Sequence, residues 1–353
     1  MLRPKFDARV EFSEAGSYKA SEGLYGNALF ELPKFNTSIT PKENAFMVLR
    51  EKKKPFWLPN LYQDFNIIQP MVMPDATARV HGGLDWFGVE WIPQPELGAA
   101  MVDHTKGRKL DDITVWEDKI DWPDLNSPDW EGNSQLLKTT YERNRLTYSV
   151  VVNGMFERLI SLLSFEEALV SLVLEKDAVK RFFSRLTDWY IELFEILKRY
   201  YQIDLICFHA DWGSQRAPLF SCECLKECIL PYIFRLADAA HQIGLIFNLH
   251  SCGKVETFVP YMIEAGVDAW EGQDINDKKA LREQFKNQIV FIDVFRMDPD
   301  TEDERLINAI HEYVDTIAYD GGSILKINDP DRDKTIMQIK ELYRYSRMAY
   351  SGK

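Results

Sequence analysis

Short apolar segments alternate with longer amphipathic segments through most of the chain. The apolar segments are predicted strands, and their nearly continuous apolar character is typical of parallel strands buried on both faces. They cover residues 56–59, 147–152, 203–208, 245–249, 267–270, 290–294 and 323–327. Apolar residues at helical spacing predict the helices between them. These cover about 133–145, 164–200 with a break near 175–177, 222–242, 255–265, 277–287, 303–317 and 332–348. The alternation predicts an α/β fold.

The first part of the chain is less regular. Thr40 and Pro41 are suited to the N-cap and the first position of a helix. Residues 1–40 are predicted to form an N-terminal extension that packs on a main domain of residues 41–353. A stretch rich in Pro, Asp and Trp, at about 93–132, predicts a long loop. Loops of this length in compact domains are usually functional or act as lids.

Polar side chains stand at or just past the ends of most predicted strands. They are Asn60 to Asp64, Asn153, His209 with Asp211, His250 with Cys252, Glu271 with Gln273, and Asp293. In a (β/α)8 barrel these ends converge on one mouth, whereas an open sheet concentrates its polar groups at one switch point. No Gly-x-Gly-x-x-Gly follows a strand, which argues against a dinucleotide-binding fold. We therefore predict a TIM barrel.

The charge balance limits the function classes. Lys and Arg number 42 and Asp and Glu 55, so the net charge is −13. This argues against a nucleic-acid partner, which requires a basic surface. No run of 18 apolar residues and no signal peptide is recognisable, so no membrane span is predicted. Five cysteines, an odd number, favour reduced thiols and a cytoplasmic location.

The sharpest local feature is His250-Ser251-Cys252-Gly253, directly after a predicted strand. Residues two apart on an extended chain point the same way, so the imidazole and the thiol can bind one ion. Nitrogen and sulfur ligands suit zinc. A third ligand must come from another strand end, and Glu271 is the best candidate. The alternative is a buried cysteine, a histidine bonded to a carbonyl group and a carboxylate hydrogen-bonded in its loop.

A second cluster follows the strand at 203–208. His209 and Asp211 share one side of the chain, and Gln215 follows in the same loop. We predict these three as catalytic, with Asp211 as a general acid or base. The alternative is that Asp211 and Gln215 cap the loop and the next helix.

The remaining candidates are weaker. We predict six residues to bind substrate at the mouth of the barrel: Asn60, Asp64, Asp85, Asn153, Arg158 and Gln273. Of these, Asp64, Asp85 and Arg158 are equally well explained as structural partners. The motif from Cys222 to Cys228 resembles a metal motif, but it opens a predicted helix and is interpreted mainly as packing.

Three runs of residues resemble the uroporphyrinogen decarboxylase superfamily, over roughly residues 145–348. They are Asp211-Trp212-Gly213-Ser214-Gln215, His250-Ser251-Cys252-Gly253-Lys254 and Pro260-Tyr261-Met262-Ile263-Glu264-Ala265-Gly266-Val267-Asp268. The resemblance implies a TIM barrel. The superfamily contains porphyrin-pathway decarboxylases, and also zinc-dependent methyltransferases that move a methyl group between a corrinoid protein and a thiol or tetrahydrofolate.

Two departures from the decarboxylase pattern favour the methyltransferase branch. Such decarboxylases carry an Arg-Gln-Ala-Gly-Arg stretch near the N-terminus, where residues 55–64 contain no arginine here. They also carry a Gly-His-Gly near the C-terminus, where residues 321–326 contain no histidine. In the methyltransferase branch a C-terminal cysteine often completes the zinc site. Since Cys252 is the last cysteine of this chain, either Glu271 replaces it or no zinc is bound.

The resemblance therefore implies a zinc-assisted methyltransferase that acts on a methylated corrinoid presented by a carrier protein. The segment 85–88 is similar to that of O-demethylase-associated members, which favours tetrahydrofolate over a thiol as the small-molecule acceptor. A decarboxylase of a porphyrinogen or a related acid is the alternative. A non-catalytic barrel that only binds a corrinoid or its carrier ranks third. The oligomeric state stays open.

Overall fold

A computed structural model describes residues 4–13, 15–19, 30–97 and 99–351. Its strands are β1 (Ser17–Tyr18), β2 (Leu32–Pro33), β3 (Phe65–Ile68), β4 (Gly83–Leu84), β5 (Glu90–Gln94), β6 (Ala99–Val102), β7 (Leu146–Val151), β8 (Leu205–His209), β9 (Ile246–Ser251), β10 (Ala269–Gly272), β11 (Val290–Phe295) and β12 (Ser323–Ile327). Seven of them form one parallel sheet in the order β12-β11-β10-β9-β8-β7-β3. Strands β4, β5 and β6 form a small antiparallel sheet, and β1 pairs with β2.

The helices mostly follow the strands of the large sheet. They are α1 (Ala8–Glu11), α2 (Pro41–Leu49), α3 (Leu61–Asp64), α4 (Pro74–His81), α5 (Trp116–Lys119), α6 (Trp130–Lys138), α7 (Met155–Leu162), α8 (Phe165–Leu174), α9 (Lys176–Tyr201), α10 (Cys222–Cys224), α11 (Leu230–Gln242), α12 (Val259–Glu264), α13 (Lys278–Phe285), α14 (Asp303–Thr316) and α15 (Arg332–Ser351). No helix in these ranges is both long enough and apolar enough to cross a bilayer.

The two edges of the large sheet meet just before β3. Asn60 forms a parallel bridge with Leu325 of β12, and the Leu325 amide donates to the Pro59 carbonyl over 2.9 Å. The chain that enters β3 therefore contacts the strand at the opposite edge, as the closure of a barrel requires. The prediction of an α/β fold of the TIM-barrel type is confirmed, with seven strands and this single bridge in place of eight full strands.

The barrel is filled with side chains and is not a pore. Tyr148, Cys207 and Ile292 belong to one buried cluster, which also includes Ala45 and Val48 of α2. Helix α2 begins as the sequence predicts: Thr40 and Glu43 form a reciprocal capping box, and Pro41 occupies the first turn. This packing leaves the opposite end, where the strands finish, for polar side chains.

Two predictions about the first half of the chain are wrong. Residues 56–59 are buried but do not form a strand; β3 lies further on, at Phe65–Ile68. The stretch 93–132 is not one long irregular loop, because it contains β6 and α5. Its apolar side chains, such as Leu110, Ile113 and Leu125, are buried in the main core. Because the spacing of these side chains is irregular, their burial could not be predicted from hydrophobic periodicity.

The N-terminal residues that are described pack against the last helix. Glu11 forms an ion pair with Arg347 over 2.7 Å, and the rings of Phe12 and Phe35 lie against Tyr343. The boundary predicted at residue 40 stays a prediction, and residues 1–3, 14 and 20–29 of that segment lie outside the described ranges.

The cysteine-rich segment 222–228 is packed against the protein core. Cys228 is buried and donates weakly to the Leu172 carbonyl over 3.9 Å, while Cys222 and Cys224 are partly buried. The helix here contains a π-helical turn at Leu225–Ile229. The interpretation as packing agrees with this environment.

Candidate functional site

Two histidines stack at the ends of neighbouring strands. His209 is the last residue of β8, and His250 lies opposite it in β9. Register neighbours on parallel strands point the same way, and the two imidazole rings lie 4.2 Å apart at an angle of 19°. The pair therefore stands at the carboxyl end of the sheet, where the sequence placed it.

Each histidine meets a glutamate at its Nδ1 atom. His209 Nδ1 lies 2.9 Å from Glu157 Oε2, and His250 Nδ1 lies 3.2 Å from Glu271 Oε1. A carboxylate at one ring nitrogen fixes the orientation of the ring and the position of its proton. Burial lowers the pKa of His209, but the charges of Glu157 and Asp211 outweigh it and raise that pKa overall.

Asp211 lies beside both imidazoles. Its Oδ1 atom is 3.8 Å from His209 Nδ1 and 3.7 Å from His250 Nε2, and it accepts the Cys252 amide over 2.9 Å. Burial would raise the pKa of Asp211, but His209, His250 and that amide lower it to about 2. Asp211 is therefore ionised at neutral pH, with 30% of its side chain exposed.

The arrangement is compatible with a zinc ion. His209, Asp211 and His250 each offer a ligand atom, and these atoms lie within 4.8 Å of one another. Nitrogen and carboxylate oxygen are ordinary zinc ligands. The Cys252 sulfur lies 3.4 Å from His250 Nε2, on the same side as Asp211. Burial first, and then Asp211, raises the pKa of the Cys252 thiol well above its usual range.

The structure does not gather the predicted ligand set of His250, Cys252 and Glu271 around one point. Cys252 faces Nε2 of the imidazole, whereas Glu271 faces Nδ1. A metal ion bound to one of these two nitrogens can be coordinated by Cys252 or by Glu271, but not by both. This corrects the placement of Glu271, which lies behind the ring where it can orient His250.

Glu271 is itself held by two buried groups. Lys326 Nζ lies 2.5 Å from its Oε1, and the Tyr148 hydroxyl donates to its Oε2 over 3.0 Å. Burial would raise the pKa of Glu271, but Lys326 and His250 hold it well below its usual range. Lys326 was not predicted as a site residue, although a lysine inside a strand whose other residues are apolar or small indicates a buried charge with a partner.

Glu157 was also missed. It lies in the first turn of α7, where its Oε2 accepts the Gly154 amide over 3.3 Å, and its Oε1 is 3.0 Å from Arg79 Nη1. The predicted Asn153 lies beside it, because its Oδ1 accepts from Arg79 over 3.2 Å. The spacing of three residues from Gly154 to Glu157 is typical of a capping box and could have drawn attention to this glutamate.

Gln273 supports a loop of the site. Its Oε1 accepts the Gly253 amide over 2.8 Å. Gly253 has φ of +88°, and a Cβ atom there would lie 2.1 Å from the Gly213 carbonyl carbon. The two loops that carry Asp211 and Cys252 therefore touch at their glycines. The predicted Gln215 is exposed, and its side chain makes no hydrogen bond to any described residue.

Asp85 and Arg158 lie away from this cluster, in a buried ionic group. Arg158 Nη1 is 2.6 Å from Asp85 Oδ2, and its Nη2 contacts Asp75. Asp85 also accepts the amides of Phe87 and Val89, each over 2.9 Å. Arg158 and the Asp85 side chain are completely buried. The structural interpretation of this pair therefore replaces the prediction that they bind substrate.

Asn60 and Asp64 precede β3 and do not join the histidine cluster. Asn60 caps α3, since its Oδ1 accepts the Tyr62 amide over 2.8 Å. Asp64 accepts the Asn60 amide over 2.8 Å and the Trp57 indole N–H over 3.3 Å. Burial raises the pKa of Asp64 to about 7. Both side chains hold the chain where it enters the barrel, which corrects their placement at the mouth.

The raised pKa of Asp64 predicts a pH dependence of stability. An unfolded aspartate has a pKa near 3.9, so between about pH 4 and 7 the folded state binds an extra proton and stability falls as pH rises. We expect Asp64→Asn, whose amide oxygen can accept both hydrogen bonds, to remove a slope of up to about 1.4 kcal/mol per pH unit. Urea unfolding at several pH values measures it. The exposed Asp118→Asn is the control, and an unchanged slope in Asp64→Asn would contradict the assignment.

The comparisons with known proteins support the fold. No family model matches the chain, and no curated protein matches it. The chain is similar to the solved structure of a methyltransferase from Methanosarcina mazei, with a TM-score of 0.63 and 12% identity over 87% of this chain and 99% of that chain. An archaeal fructose 1,6-bisphosphate aldolase matches with a TM-score of 0.29 and 13% identity, over 44% of this chain and 61% of that one. At 12% identity, the similarity to the methyltransferase structure shows the fold alone, which is of the TIM-barrel type.

Proposed function

We propose that this protein is a methyltransferase that moves a methyl group between a corrinoid-bearing partner protein and a small acceptor such as tetrahydrofolate. The observation that carries the proposal is the convergence of His209, Asp211 and His250 at the end of the barrel strands. The similarity of the fold to a methyltransferase supports it. The resemblance of the His250 and Asp211 segments to the corrinoid-dependent branch supplies the donor and the acceptor.

The chemistry of the side chains fits zinc. His250 through Nε2, Asp211, His209 and Cys252 are the groups that would hold the ion, and Glu157 and Glu271 fix the two imidazole rings. Bound there, zinc would act as a Lewis acid that lowers the pKa of an acceptor group. A set of nitrogen, oxygen and sulfur donors excludes the hard ions Mg²⁺ and Ca²⁺ as the preferred occupants.

The chain's own residues can position the acceptor. Asp211 is ionised and partly exposed, so it can accept a hydrogen bond from a protonated nitrogen of the acceptor. The fixed imidazoles require no reorganisation when a ligand arrives. Buried apolar side chains inside the barrel, such as Val150 and Ile292, exclude water from the inner side of the site.

The positively charged side chains near the two histidines do not support the alternative of a decarboxylase. A polycarboxylate porphyrinogen needs cationic partners, but Arg79 is paired with Glu157 and Lys326 with Glu271. Each cation is therefore already neutralised by a glutamate of the site.

The test combines a metal analysis with an assay of methyl transfer. We expect the purified protein to hold about one equivalent of zinc and to transfer a methyl group from methylcobalamin to tetrahydrofolate. Cys252→Ser should weaken zinc binding by roughly 10-fold or more and reduce transfer, because the soft sulfur donor is lost. Cys222→Ser, in a partly buried position outside the site, is the matched control. Wild-type protein without zinc and without transfer would refute the proposal.

A further inference from the structure

Two cysteines lie at a π-helical turn in the helix that follows β8. The turn covers Leu225–Ile229, and the Leu230 amide donates to the Leu225 carbonyl, five residues earlier. Cys224 directly precedes the turn, and Cys228 lies within it. Single π turns inside α-helices are rare and occur frequently at functional sites. A rare backbone geometry and two thiols therefore coincide in this segment.

The π turn brings the two thiols closer together than an α-helix would. In an α-helix the Cβ atoms of residues four apart are about 5–6 Å from each other. A disulfide requires a separation of about 3.5–4.5 Å. A π turn is wider and rises less per residue, so residues four apart lie more directly above each other. The thiols of Cys224 and Cys228 form a hydrogen bond with each other. The pair is therefore close to the geometry that a disulfide needs.

The two thiols differ in access and in acidity. Cys224 is partly buried, whereas Cys228 is completely buried. The hydrogen bond with Cys224 lowers the pKa of the Cys228 thiol, against the effect of burial. The charges of Lys180 and Lys176 lower this pKa further. The same hydrogen bond, together with burial, raises the pKa of the Cys224 thiol. Cys224 is therefore the thiol that a reagent can reach, and Cys228 is the sulfur that can take up its proton.

Ion pairs hold the π turn against α9. Glu227 Oε2 lies 2.6 Å from Lys176 Nζ, and its Oε1 lies 2.8 Å from Lys180 Nζ. Cys228 makes a weak contact with the Leu172 carbonyl over 3.9 Å. Its sulfur can therefore turn toward Cys224 without losing a strong hydrogen bond, while the ion pairs hold the backbone in place.

We propose that Cys224 and Cys228 form a thiol–disulfide exchange site that reacts with low-molecular-weight disulfides such as oxidised glutathione. The Cys224 sulfur attacks one sulfur of the glutathione disulfide, its proton passes to the Cys228 sulfur, and one glutathione thiolate leaves. Cys224 is then joined to glutathione by a mixed disulfide. The Cys228 sulfur releases its proton to solvent, attacks the Cys224 sulfur and displaces the second glutathione thiolate. Two protein thiols are oxidised to one disulfide, and one glutathione disulfide is reduced to two thiols.

The site is separate from the groups that would hold zinc, so the inference does not depend on the proposed function. The test treats the reduced protein with oxidised glutathione and follows its thiols by mass spectrometry. We expect the wild-type protein to lose two of its five free thiols. Its mass should fall by about two units, with the new bond mapped between Cys224 and Cys228, and dithiothreitol should reverse the change.

Two variants separate the roles of the cysteines. Cys228→Ser should accumulate glutathione on Cys224, because the thiol that resolves the mixed disulfide is missing. Cys224→Ser should lose thiols at this segment at least about 10-fold more slowly, because the remaining thiol is buried. Cys222→Ser, in the same segment and also partly buried, is the matched control and should form the disulfide as the wild type does.

The wild-type measurement needs no substitution, so the inference stays testable where a variant does not fold, which circular dichroism shows. Wild-type protein that keeps all five thiols, or whose new bond maps to other cysteines, would overturn the inference. A folded Cys228→Ser protein without glutathione on Cys224 would overturn the assignment of Cys224 as the attacking thiol.

Discussion

Replacing Arg158 by methionine is expected to lower the free energy of unfolding by about 3–5 kcal/mol. The guanidinium is completely buried, and it contacts Asp75 and Asp85, whose side chains are 6% and 0% exposed. It also lies over the ring of Phe87, 4.4 Å from its centroid. Removing the cation leaves two carboxylates in the core without their counter-charge, and this costs far more than the loss of a surface pair. Urea unfolding followed by tryptophan fluorescence measures the change.

The control for this prediction is a surface arginine. Arg181 pairs with Glu117 over 2.9 Å, and both side chains are about half exposed, at 55% and 43%. Arg181→Met should cost no more than about 1 kcal/mol. Adding Asp75→Asn and Asp85→Asn to Arg158→Met should restore part of the stability, because the unpaired charges are gone. An Arg158→Met protein as stable as Arg181→Met would show that this ionic group does not hold α4 and the β4–β5 hairpin to α7.

The regular half of the fold could be predicted because its strands are buried on both faces. The strand predicted at 290–294 is β11 (Val290–Phe295), and the one predicted at 323–327 coincides with β12. An apolar run of this kind ends where the chain leaves the core. The ends of such a strand can therefore be predicted from the sequence. The break predicted near 175–177 falls at Glu175, between α8 and α9.

The first strand could not be predicted in the same way. Strand β3 contains Asn66, whose side chain is buried and bonds to the Glu142 carbonyl over 2.9 Å. Residues 56–59 are more apolar, but they pack against α15 and α2. The Leu58 amide donates to Ser346 Oγ of α15 over 2.9 Å, and the Trp57 carbonyl accepts from Asn44 Nδ2 of α2 over 2.9 Å. Composition alone favours the wrong segment, because long-range contacts decide which of the two joins the sheet.

The strand ends that carry the site could be predicted from the sequence, but the contacts between its side chains could not. His209, Asp211, His250 and Cys252 were found because two-residue spacing at strand ends places side chains on one side. The partner of His209, Glu157, is 52 residues away in sequence, and no local pattern links them. Which nitrogen of His250 faces Glu271 depends on side-chain rotamers and on Lys326, which the spacing of residues does not determine.

The largest functional effect is expected for His250. His250→Ala removes the imidazole whose Nε2 lies beside both Asp211 and Cys252, and it also leaves Glu271 without its histidine. We expect the zinc content to fall from about one equivalent to less than about a tenth, with methyl transfer from methylcobalamin reduced by roughly 100-fold or more. Inductively coupled plasma mass spectrometry and the transfer assay measure the two effects. His81→Ala, an exposed histidine at the end of α4, is the matched control.

Glu271→Gln separates a metal ligand from an orienting group. If Glu271 acts only through Nδ1 of His250, the variant should still bind zinc, with an affinity weaker by roughly 10- to 100-fold. If Glu271 were a ligand, the loss would approach that of His250→Ala. Because Lys326 loses its counter-charge in this variant, the thermal midpoint of each protein must be measured alongside the metal content. Equal zinc loss in Glu271→Gln and His250→Ala, in folded protein, would overturn the placement of Glu271 behind the ring.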